Sequence, residues 1–144
     1  MLLELGAPDF GLVASLMDVF PFHRGHFGSV IRRANPGRIF VDDPGAPSRA
    51  LLWPSDGFQY LAVSGAEAAR VGAALQAFLE DCHDILAREG GGGCIELVVA
   101  QAALESRIAA AFGGLPFIAV ARLAFEPPAA PVRRAKRAPG PGAR

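Results

Sequence analysis

Residues 35–65, NPGRIFVDDPGAPSRALLWPSDGFQYLAVSG, decide the fold. Asn35-Pro36-Gly37 breaks whatever helix precedes it, because proline cannot continue a helix and glycine accepts positive φ. Three short apolar runs follow, Arg38–Asp43, Arg49–Trp53 and Phe58–Val63, each rich in branched or aromatic residues. In the first, Ile39 and Val41 alternate with Arg38, Phe40 and Asp42. Pro44-Gly45-Ala46-Pro47 and Pro54-Ser55-Asp56-Gly57 separate the runs as turns, with Asp-Gly supplying a positive-φ position. Connections of about four residues favour antiparallel neighbours, so the segment is expected to form a three-strand meander.

Outward from the meander, helices are expected on both sides. Pro8-Asp9 starts one that carries Phe10, Val13, Met17 and Phe20 on one face and stops at Pro21. A second, from about Arg24 to Ala34, groups Phe27, Val30 and Ile31. After the meander a long helix spans Ala66–Arg88. Ser64-Gly65-Ala66-Glu67 has capping-box spacing, and Val71, Leu75, Phe78, Leu79, Cys82, Ile85 and Leu86 form an apolar stripe. The glycines 90–93 end it. A strand at Cys94–Val99, a helix at Gln101–Phe112 with Leu104, Ile108 and Phe112 inward, and a last strand at Pro116–Phe125 complete the series. With a possible short strand at Leu2–Leu5, the order is (β)ααβββαβαβ. Single strands separated by helices imply crossovers beside the meander, hence an α+β mixed sheet with helices on both faces.

Composition bounds the function. At 144 residues, 51% hydrophobic and 19% charged, the chain suits one domain with a real core. Two cysteines build no disulfide framework. No uncharged apolar run approaches the roughly 18 residues needed to span a bilayer. Met1–Phe10 carries Glu4 and Asp9 with no basic start, unlike a secretory signal, so a cytoplasmic location is expected. Formal charge is zero but unevenly spread. Residues 1–126 hold all 14 acids against nine basic residues, a balance of −5. Residues 127–144 hold Arg133, Arg134, Lys136, Arg137 and Arg144 and no acid, +5. An acidic body argues against nucleic acid as a partner. The tail, PPAAPVRRAKRAPGPGAR, has too little apolar surface to offset its ordering entropy. It is expected to be a disordered linker, with a basic arm for an acidic partner as the alternative.

Few side chains suggest chemistry. Cys82-His83-Asp84 sets a nucleophile, a base and an orienter in a row, but helical neighbours do not face one another; Cys82 is expected in the core and His83 and Asp84 in solvent. His23 and His26 have no third ligand nearby, so no metal is expected. Asp42 and Asp43, adjacent on a strand, point to opposite faces and are expected as a charged strand end and a turn former. Trp53, Phe58 and Tyr60 are expected in the core, with an aromatic docking patch as the alternative.

The element order is that of the GNAT acyltransferase fold. Gly37-Arg38-Ile39-Phe40-Val41-Asp42-Asp43, then Pro47, then Ala50-Leu51-Leu52-Trp53 resemble the N-terminal region of GNAT acetyltransferases related to zwittermicin-resistance proteins. The resemblance covers most of residues 8–126 and is distinctive over about 30 of them. Members of that branch are typically about twice this length, with the acetyl-CoA site in a second half, which would begin where this chain stops. The resemblance thus implies an N-terminal domain at 1–126 without the catalytic half. It also implies where a cradle for the coenzyme's diphosphate belongs: in the turn after the fourth strand, at Ser64, Gly65 and Ala66. The family pattern, Arg or Gln, two residues, Gly, one residue, then Gly or Ala, keeps only Gly65 there, and Glu67 in the first turn repels an anion. Arg88-Glu89-Gly90-Gly91-Gly92-Gly93 fits the pattern literally but follows a helix and precedes a strand. The family's general-acid tyrosine has no counterpart in Gln101–Phe112. Ser106 is a weak stand-in, and Tyr60, the sole tyrosine, is expected to pack. No catalytic residue is assigned. The resemblance implies a degenerate domain, without cofactor when isolated, that pairs with a catalytic GNAT half or with its own copy. The alternatives are a stand-alone acetyl-CoA-dependent acyltransferase of a small amine, and a binding module without enzymatic activity.

Overall fold

A computed structural model of the chain describes residues 1–20, 24–55, 58–65, 67, 72–89, 96–99 and 104–113. Strands β1 (Leu3–Glu4), β2 (Gly37–Val41), β3 (Arg49–Pro54), β4 (Gln59–Val63) and β5 (Leu97–Val99) form one mixed sheet in the order β1-β2-β3-β4-β5. The meander pairs antiparallel, with Ile39 opposite Leu52 and Leu52 opposite Tyr60. β5 joins β4 in parallel, Val98 beside Tyr60, as a crossover connection requires. The last strand expected at Pro116–Phe125, the glycines 90–93 and the tail 127–144 lie outside the described residues.

Because successive strand residues point to opposite faces, each strand feeds two cores. Ile39, Val41, Ala50, Leu52, Tyr60 and Ala62 enter one, against Phe10, Val13, Met17, Phe20, Phe27 and Val30. Phe40, Leu51, Leu61 and Val63 enter the other, against Leu75, Phe78, Leu79, Cys82, Ile85 and Leu86 of helix Ala73–Glu89, and Leu104. Helices therefore cover both faces, α1 (Arg24–Ile31) on the first, α2 (Ala73–Glu89) and α3 (Glu105–Ala111) on the second. The α+β class and the two-sided sheet are as the sequence predicts. Tyr60 is buried in the first core as expected, while Phe58 packs half-buried against that core and Trp53 half-buried against the second, so the three do not form one aromatic patch.

Three local expectations change. The opening segment is two 3-10 helices, Ala7–Val13 and Leu16–Val19, in place of one α-helix. Phe10, Val13 and Leu16 recur every third residue, which lines up on a three-residue turn, and Ala14 N–H donates to Gly11 O and Phe20 N–H to Met17 O. α1 ends at Ile31, before Ala34. Arg33, at φ 59°, takes the left-handed cap position expected of a glycine. Its N–H donates to Val30 O and that of Ala34 to Ser29 O, a Schellman pair. Gly37 serves the sheet: a Cβ there would stand 2.7 Å from Val30 Cγ1 and 3.0 Å from the Trp53 carbonyl oxygen. The predicted Ala66–Arg88 helix is interrupted: Gly65 and Glu67 are helical, Gly72 is not, and α2 starts at Ala73.

Candidate functional site

The turn after β4 is where the resemblance sets a cradle, and the geometry there is built around Arg49. Arg49 opens β3 directly opposite Val63, so its side chain lies beside the exit of β4. β2 ends at Val41, and the loop to β3 brings Asp42 back beside Arg49. The Asp42 carboxylate accepts four hydrogen bonds: from the Ser48 and Arg49 N–H groups at 3.0 Å each, from Ser48 Oγ at 2.6 Å and from Arg49 Nε at 3.0 Å. Burial alone would raise the Asp42 carboxyl. The bonds from Ser48 and the Arg49 backbone, with the Arg49 charge, outweigh it and hold the group below its ordinary value.

The same guanidinium reaches in three other directions. Nη1 donates to the Ala74 carbonyl in the first turn of α2 at 2.6 Å, and Nη2 lies 3.6 Å from Glu67 Oε2. The plane's centre is 5.9 Å from the Phe78 ring centroid. Arg49 is 13% exposed, so these pairings are shielded from solvent far more than a surface ion pair.

Ser64 and Gly65 sit at the edge of this cluster. Ser64 N–H donates to Ser48 O at 2.8 Å, extending the sheet, and Ser64 Oγ accepts from Glu67 N–H at 3.3 Å. One half of the capping box therefore forms. The other does not, because the Ser64 N–H is already bonded to Ser48 and the Glu67 carboxylate faces Arg49. Gly65 is exposed, with nothing within 4 Å of a Cβ placed on it. Ala66 lies outside the described residues. A depression of about 100 Å³ beside Arg49 is lined by Asp42, Ala74, Phe78 and Asp81. It is smaller than the ~300–1,000 Å³ typical of ligand pockets.

A second ionic group gathers at Arg38. Its Nε and Nη2 donate to both oxygens of Glu4 at 2.8 and 2.7 Å, and Nη1 pairs with Glu89 at the end of α2. The bidentate bond from Arg38 lowers the Glu4 carboxyl, and the same bond raises Arg38. Arg38, Trp53, Ser55 and Glu89 line a groove of about 170 Å³.

The remaining candidates are dispersed. Cys82 is buried in the second core, and burial, with the nearby Asp81, pushes its thiol up. Asp84 is exposed as expected, but His83 is not solvated: it is half-buried, edge-on to Phe112 at the margin of that core with ring centroids 5.1 Å apart, and its Nδ1 is 3.3 Å from Asp84 Oδ1. His26 is exposed, and His23 lies outside the described residues. No metal-binding group of His, Cys, Asp and Glu occurs among the described residues. Tyr60 is fully buried against Phe20 and Phe27, Ser106 is exposed on α3, and Asp43 accepts from Gly45 N–H in the turn. No helix of the described residues is long and apolar enough to cross a membrane.

Sequence reasoning assigned no role to Arg49 or Ser48, the residues that organise the site. The available signal was the hairpin itself: if β2 and β3 pair antiparallel across residues 42–48, Asp42 and Arg49 must close the loop side by side. Compared with known proteins, the chain matches no protein-family model and no curated protein.

Proposed function

We propose that this chain is a GNAT-related domain that has given up coenzyme binding and serves to support a catalytic GNAT half. The order of elements supports the relationship: a short strand, helical turns, an antiparallel meander, a helix, and a strand parallel to the fourth. The observation that carries the loss of coenzyme binding is the ion cluster at the exit of β4. A cradle for a diphosphate needs unpaired backbone N–H groups and free positive charge. Among the described residues, the cation beside this turn, Arg49, is committed to Asp42, Glu67 and the Ala74 carbonyl, and the Glu67 N–H is bonded to Ser64. Among the described residues, two carboxylates engage this one guanidinium, so it is already neutralised by the protein's own acids.

What the domain retains is rigidity: a sheet packed on both faces, with loop, strand and helix tied through Arg49. That suits a scaffold that shapes the acceptor side of a cleft completed by another half, in a second chain or a second copy. Calorimetry with acetyl-CoA at millimolar concentration tests the proposal. It predicts no binding heat from the isolated chain. Micromolar binding would instead establish a stand-alone acyl-CoA-binding protein and reject the scaffold role.

A further inference from the structure

We draw no further inference here: the strongest candidate, the half-buried apolar margin of the second core formed by Leu97 and Val99 of β5, Ile108 of α3 and Phe112 just after it, carries nothing because no described residue shows what covers it.

Discussion

Asp42 is the residue whose removal should be felt most sharply. It accepts four hydrogen bonds and balances a shielded guanidinium. Asp42→Asn keeps the shape but loses the charge, and should cost about 2–3 kcal/mol at pH 7 in urea unfolding. The pH dependence has a definite sign. The folded-state carboxyl is depressed, so its contribution is fully present above the unfolded value of about 3.9 and is lost as pH falls through the lower folded value. The gap between the two proteins should therefore narrow toward pH 2, and equal stability differences at pH 7 and pH 2 would show that the charge is not what Asp42 contributes. Glu4 is depressed too, but it is 44% exposed and solvent screens its pairing. Gly37 makes the second residue-scale case. Gly37→Ala forces a Cβ against the buried Val30 and the Trp53 carbonyl, and should destabilise by about 1–3 kcal/mol. Gly65→Ala enters open space in a helical turn and should be neutral or stabilising by up to about 1 kcal/mol. Chemical denaturation of the pair measures both; similar losses at the two glycines would contradict the packing argument.

At the scale of elements, the cap of α1 departs from the usual residue choice. Arg33 holds the left-handed conformation that glycine adopts without strain. Arg33→Gly should raise the unfolding free energy by about 0.5–1 kcal/mol, read in urea denaturation, since the Schellman bonds at Val30 and Ser29 need only the backbone. A loss of stability would mean that the Arg33 side chain holds the cap. This is also where sequence reasoning faltered. Asn35-Pro36-Gly37 carries every standard signal for a helix stop, and the helix does end before it. But the glycine is spent on a close strand–helix approach, which no local pattern announces. The opening 3-10 turns were hidden for a related reason: Phe10, Val13, Met17 and Phe20 have α-helical spacing, yet two separate 3-10 helices bring the same four side chains into the first core.

On the scale of the whole molecule, α2 packs over the second face of the sheet, and Cys82, fully buried beneath it, reports on that packing. With Cys94 changed to serine, Cys82 should react with a thiol reagent only as fast as the fold opens, and denaturant should accelerate labelling in step with unfolding. Rapid labelling in native buffer would mean that α2 lifts from the sheet independently. What the sequence by itself determined is the set of meander strands and the two-faced burial. Alternation at Ile39-Phe40-Val41 and the unbroken apolar runs at Leu51-Leu52 and Leu61-Ala62-Val63 are local, and period two dictates which side each residue takes. Only the tertiary structure decided the partners of charge. Arg49 meets Glu67 and Ala74, 18 and 25 residues along the chain, because strand register and helix placement bring them together. A guanidinium takes any oxygen acceptor within reach, so its partners are settled by what the packed fold places beside it.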